Sequence, residues 1–219
     1  MKVVLALDVS SKTGWALFHD EKPMRWGTVF PDKSVKDFGH YPFNFVAHSE
    51  YLADRLLNDL MPTLGDAGLF LGQDITVVIE ETNASRQNYS QKMLEYLHFC
   101  IVKGLQKRNV RKVYYVRTGE WRGKTESKMS KEEKALNAKI GRIKKKTGKK
   151  LAKIDGKVVG KKGRKHVALR RVEEIFGIEM QRKDEDAADA LLLGLGFIRG
   201  APICDGTVMG GKSNSKKAE

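Results

Sequence analysis

Four carboxylates sit where an acid is hard to explain as structure: Asp8, Glu80, Asp186 and Asp189. Asp8 closes the apolar run Val3-Val4-Leu5-Ala6-Leu7, and Glu80 closes a second, Ile75-Thr76-Val77-Val78-Ile79. Asp186 and Asp189 lie three apart in Asp-Ala-Ala-Asp-Ala-Leu-Leu-Leu, so on a helix both face the same way. Acids at two strand ends and one helix start can converge on a point, and hard divalent cations take carboxylate oxygens of that kind. Two such cations about 4 Å apart suit phosphodiester hydrolysis, one lowering the pKa of a bound water and the other holding the leaving oxygen. The bland readings are a turn residue for Asp8 and macrodipole-favoured helix acids for Asp186 and Asp189. Glu80 resists a bland reading, because an unpaired buried carboxylate is costly. Glu81 and Asp184 compete as neighbours of Glu80 and Asp186. Strand alternation sends Glu80 and Glu81 to opposite faces, so only one of them can serve the site.

The elements that must position these acids are legible in the apolar pattern. Val3–Val9 reads as a buried strand, and Gly14–His19 and Arg25–Phe30 as the next two strands of an antiparallel meander. Residues Asn44–Asp59 carry a helical stripe through Phe45, Val46, Leu52, Leu56, Leu57 and Leu60, which Pro62 and Gly65 are expected to end. Ile75–Ile79 has the nearly all-apolar character of a central strand covered on both faces. A long helix over Gln87–Arg108 and a strand over Lys112–Val116 follow. Val167, Val172, Ile175 and Phe176 make a helix that Gly177 stops, and Asp184 is the expected N-cap of a last helix through Ile198. The sum is an α/β fold, a mixed five-stranded sheet flanked by helices.

Charge is the compositional outlier. The 219 residues carry a formal net charge of +14, with 41 Lys+Arg against 27 acids. Glu120 to Arg171 holds 20 of the basic residues and 5 of the acids, which leaves 21 and 22 elsewhere, so one segment supplies the imbalance. Concentrated positive charge of this kind favours a polyanion through counterion release. From Thr118 to Lys165 apolar periodicity nearly vanishes, which reads as a mobile or partly helical basic insertion that orders on nucleic acid, with hairpin character around Asp155-Gly156. Lys144, Lys145, Lys146, Lys149, Lys150, Lys161, Lys162 and Arg164 are its candidate DNA contacts. One domain is expected over residues 1–200, with 118–165 inserted in it and a disordered tail over 201–219. Two cysteines exclude a disulfide scaffold or a zinc site, and Cys100 reads as a small core residue. With no signal peptide and no apolar run near the ~20 residues of a membrane span, a soluble cytoplasmic protein is expected.

At the acid motifs the chain resembles the RuvC family of Holliday-junction resolvases, within the ribonuclease H-like superfamily. The matching pieces are Leu5-Ala6-Leu7-Asp8-Val9-Ser10 with Thr13-Gly14-Trp15-Ala16, then Val78-Ile79-Glu80-Glu81, then Asp186-Ala187-Ala188-Asp189-Ala190-Leu191. They occur in the family's order, on the expected elements, and the resemblance covers roughly residues 1–119 and 164–199. It implies a ribonuclease H-like fold and a metal-dependent endonuclease acting on four-way and other branched DNA. It also implies two Mg²⁺ or Mn²⁺ ions on Asp8, Glu80, Asp186 and Asp189, and it favours Glu80 over Glu81. Family members use a lysine ahead of the helix that precedes the last acids, and Lys165 is the nearest match. A homodimer is implied, since a two-fold junction needs paired cuts. The length and charge of the basic segment resemble the phage-encoded or viral branch, which would place the protein in a bacterial host's cytoplasm.

Other features carry less. Gly119-Glu120-Trp121-Arg122-Gly123-Lys124-Thr125 lacks one residue of a phosphate-binding loop's spacing. Trp121 fits either packing or stacking on a base. Tyr89 and Tyr96 fit packing, although by the resemblance an aromatic near that helix start opens the junction, which makes Tyr89 a candidate.

Overall fold

Alternation along the first strand sorts the core into two halves. In β1 (Val3–Asp8) the odd residues Leu5 and Leu7 face one apolar cluster and the even residues Val4 and Ala6 face another. β4 (Ile75–Glu80) runs parallel to β1 in the register Leu7↔Ile79 and divides the same way, Val77 and Ile79 to the first cluster and Val78 to the second. β2 (Thr13–His19) and β3 (Lys22–Val29) complete an antiparallel meander, and β5 (Lys112–Val116) adds parallel to β4. The sheet order is β3-β2-β1-β4-β5, a mixed five-stranded sheet as expected. This computed structural model describes residues 3–32, 38–68, 75–81, 88–147, 152–154, 157–159 and 163–204.

Helices cover both faces. α1 (Phe43–Asp66) and α2 (Asn88–Lys107) lie on the odd face, where Leu52, Leu56, Leu57, Leu60 and Leu64 from α1 and Leu97, Ile101 and Leu105 from α2 are buried. The expected stop at Pro62 does not occur. Leu60 and Leu64 are buried on either side of it, and this packing carries the helix through a residue that lacks an N–H and crowds the carbonyl one turn back. The even face takes α3 (Thr118–Lys124), α5 (Arg164–Phe176) and α6 (Glu185–Ile198). Gly177, at φ 66°, closes α5 in the left-handed conformation. Asp184 does not cap α6 with its side chain. Its carboxylate instead accepts the Gln181 N–H at 3.0 Å, capping the short 3-10 turn Arg182–Asp184.

The basic segment is partly helical with a hairpin, in line with the sequence reading, but its first part also packs into the core. Its first part folds as α3, whose Trp121 is fully buried, and as α4 (Lys131–Thr147), whose Ile140 is fully buried. A seven-residue helix with one core side chain leaves no periodic signature. Ala152–Ile154 and Lys157–Val159 pair as a two-stranded ribbon, β6 and β7. Residues 201–204 lie against β5: Ala201 is buried, Ile203 bridges Val116, and the Cys204 N–H donates to the Tyr115 carbonyl at 2.8 Å. The rest of the expected tail lies outside the described residues. Among the described residues no helix is long and apolar enough to cross a membrane.

Candidate active site

Asp8 and Glu80 end two adjacent parallel strands, so both acids stand at the same edge of the sheet. Both are even-numbered, so both share the face against which α6 packs. Asp186 and Asp189 come from the start of α6, brought to that edge because β2 offers no side chain at Gly14. An ideal Cβ on Gly14 would overlap the Asp186 carbonyl and stand 2.9 Å from the Ala187 nitrogen. Gly14 is itself the register partner of Asp8.

The electrostatics register the convergence. Asp8 titrates well above the ordinary carboxylate range because it is buried, and then because Glu80, Asp189 and Asp186 add negative charge, with Lys165 opposing. Asp189, 6 % exposed, is pushed up to about 6 by burial; Arg122 and Lys165 oppose this, and Glu80 and Asp186 add to it. Lys165, in the first turn of α5, reaches Asp186 Oδ1 at 2.6 Å and Glu185 Oε1 at 3.1 Å. Burial works against its charge, but these two acids carry its pKa above the usual lysine value.

Three residues that sequence reasoning did not assign to the site hold its carboxylates. Thr118 Oγ1 donates to Glu80 Oε1 at 2.6 Å, and Trp121 Nε1 donates to Glu80 Oε2 at 2.8 Å. Arg122 Nη2 donates to Asp189 Oδ1 at 3.0 Å, with its guanidinium 4.5 Å from the Trp121 ring centroid. Of the two sequence readings of Trp121, the structure shows packing. The available signal was that Trp121 is the one aromatic residue between Thr118 and Lys165.

Glu81 turns away from the cluster. Its N–H donates to the Val116 carbonyl at 2.9 Å, and its charge adds to burial in raising the Tyr115 hydroxyl to about 12 and the Cys204 thiol above its usual value. Lys144, Lys145 and Lys146 occupy the last turn of α4. Tyr89 is in the first turn of α2 and Arg164 begins α5, with both side chains outside the described residues. Lys149, Lys150, Lys161 and Lys162 also lie outside them. Cys100 is only partly buried, at the margin of the first core cluster.

The donor set suits a hard divalent cation: every acid oxygen is a carboxylate oxygen, and the mutual repulsion felt at Asp8 is what a cation would relieve. Arg122 and Lys165 supply countercharge to Asp189 and Asp186. Among the described residues no three acids, histidines or cysteines stand together at metal-holding distances.

No protein-family profile matches this chain, and no curated protein sequence matches it. Solved structures do. Thermus thermophilus RuvC in complex with a Holliday junction substrate is 14 % identical, with a TM-score of 0.53 over 91 % of this chain and 94 % of that one. A second Thermus thermophilus RuvC structure is 13 % identical, with a TM-score of 0.54 over 90 % of this chain and 93 % of that one. The yeast mitochondrial Holliday junction resolvase aligns at 12 % identity with a TM-score of 0.49, over 90 % of this chain and 78 % of that one. The two RuvC likenesses show that the chain has a RuvC-like fold, the ribonuclease H-like mixed sheet with helices on both faces.

Proposed function

We propose that this protein is a divalent-metal-dependent endonuclease that resolves four-way DNA junctions and other branched DNA. The observation that carries the reading is the convergence of Asp8, Glu80, Asp186 and Asp189 on one edge of a RuvC-like sheet, with Lys165 beside them. The four acids would hold Mg²⁺ or Mn²⁺, two ions per site, which when bound supply an activated water and neutralise the leaving 3′ oxygen. The protein's own residues orient and neutralise. Trp121 and Thr118 hold both oxygens of Glu80 in one orientation. Lys165 is 45 % exposed at its side chain, so its ammonium is available to a phosphate oxygen arriving at Asp186. Lys144, Lys145 and Lys146 would bind the arms of the substrate, with Tyr89 as the candidate wedge. The large exposed side chains of Phe43, Val46, Tyr96 and Phe99 on α1 and α2 support a homodimer, which would place two sites on a two-fold junction. The basic segment between β5 and α5 supports a place in the phage-encoded or viral branch.

The test is cleavage of labelled four-way junction, flap, Y-form and linear duplex with Mg²⁺, alongside Asp8→Asn and Asp189→Asn. The parent is expected to cut the junction fastest and both variants to lose cleavage. The ion should also raise the melting midpoint of the parent but not of Asp8→Asn. Because the folded-state pKa of Asp8 is raised, metal-free stability falls as pH climbs above the ordinary carboxylate range, and the Asn variant should melt higher without metal at neutral pH. Variants that cut like the parent sink the metal site. Linear duplex cut as fast as the junction sinks the resolvase reading and leaves a broader nuclease. Binding without cleavage leaves a DNA-binding scaffold.

A further inference from the structure

The turn joining α3 to α4 borders an open cavity of about 540 Å³, within the range of small-ligand sites. Two of its lining residues are Thr118 and Arg122, which touch Glu80 and Asp189 directly. The cavity is thus the immediate neighbour of the acid cluster but is not formed by the acids. Lys128 and Lys134 line it as well, with Gly119, Ser127 and Met129; among the described residues no acid does. Neither lysine makes an ion pair among the described residues. The Arg122 Nε is buried and has no hydrogen-bond partner among the described residues, although Nη2 of the same guanidinium is paired.

The walls are held by hydrogen bonds that leave the Lys128 and Lys134 ammonium groups free. Ser130 and Glu133 form a reciprocal capping box, Ser130 N to Glu133 Oε2 at 3.0 Å and Glu133 N to Ser130 Oγ at 3.1 Å. Arg170 braces the same Glu133 at 2.7 Å. Arg171 Nε donates to the Thr125 carbonyl at 2.8 Å, and the Ser127 N–H donates to the Arg122 carbonyl at 3.1 Å. Lys128 and Lys134 therefore project from a turn and a helix start that α5 fixes in place. Two lysines without an ion pair among the described residues, beside the Arg122 guanidinium that Asp189 already pairs, match the two non-bridging oxygens of a phosphodiester, and the hydroxyl-bearing and methionine residues of the lining suit the sugar and base that come with it.

We propose that this cavity is a strand subsite that takes the nucleotide adjoining the scissile phosphate, with Arg122, Lys128 and Lys134 on that nucleotide's phosphate. The proposal rests on the reading of the acid cluster as a DNA-cleaving centre and adds where the cut strand continues. The absence of acids from the described lining favours the polyanion.

The experiment measures equilibrium binding of a four-way junction with Ca²⁺ in place of Mg²⁺, each strand phosphate being replaced singly by an uncharged methylphosphonate. Parent protein is compared with the double variant Lys128→Ala/Lys134→Ala, whose exposed side chains can be removed without loss of core. The parent should lose affinity on neutralisation of one phosphate beside the cleaved bond. The double variant should bind more weakly overall, should be indifferent to that one replacement, and should lower the salt slope of log K by about one to two. If the variant keeps the parent's position-specific loss, or its salt slope is unchanged, the subsite is refuted even where the parent resolves junctions. If the position-specific coupling appears but the parent cleaves no DNA, the subsite stands as a binding site and the catalytic reading falls.

Discussion

Gly14→Ala tests the packing that assembles the candidate site. The new methyl would overlap the carbonyl of Asp186 and stand 2.9 Å from the Ala187 nitrogen, and both are backbone atoms that cannot rotate aside. Relief requires the start of α6 to retreat from β2 by about 1 Å, and a misplacement of that size is worth roughly 100-fold in rate when it moves reacting groups. Because Ala187, Ala188 and Ala190 are buried against the sheet, retreat also loosens the second core cluster, and overpacking of this kind costs about 1–3 kcal/mol. Cleavage of labelled junction would be measured at saturating Mg²⁺ under conditions where melting curves show the variant folded. Gly65→Ala is the control, since a Cβ there meets nothing and should stabilise helix α1 by about 0.5–1 kcal/mol without changing cleavage. A Gly14→Ala protein with parental melting and parental cleavage would refute the seating of α6 on β2 as the device that brings Asp186 and Asp189 to Asp8.

Trp121→Phe keeps a buried aromatic but removes the donor to Glu80 Oε2, so the Mg²⁺ concentration giving half of the thermal stabilisation should rise about 10- to 100-fold; an unchanged midpoint would show that the indole does not orient Glu80. His98 is 6 % exposed and its pKa is lowered to about 4 by burial, so its contribution to stability is complete above the ordinary histidine value and is lost as pH falls toward 4. Relative to the parent, His98→Gln should flatten that acid limb by on the order of 3 kcal/mol in denaturant titrations, and parallel curves for the two proteins would contradict the buried neutral imidazole.

Several parts of this arrangement were legible in the chain because they are local. An apolar run that stops at an acid marks a strand end, and the two-residue alternation of strands separates Glu80 from Glu81 without any knowledge of the fold. The left-handed stop at Gly177 follows from the same local chemistry. Pro62 misleads, because a local helix-breaking signal loses to the burial of Leu60 and Leu64 around it. Asp184 takes the expected N-cap position of α6, but its carboxylate is within reach of the Gln181 N–H, and that competing partner turns the side chain to the turn before it.

The sequence by itself determined which acids exist, which elements carry them, and that positive charge is gathered in one segment. Only the tertiary structure decided what holds those acids. Trp121 reaches Glu80 across 41 residues, and Arg122 reaches Asp189 across 67. Their helix α3 reads in the sequence as part of the mobile or partly helical basic insertion because it contributes a single side chain to the core. It is seated by Gly196 of α6, where a Cβ would stand 2.7 Å from that of Trp121. Side-chain periodicity records what one element buries along its own length. A close approach between two elements depends on the absence of a side chain in one and the shape of the other, and it becomes visible only when both are in place.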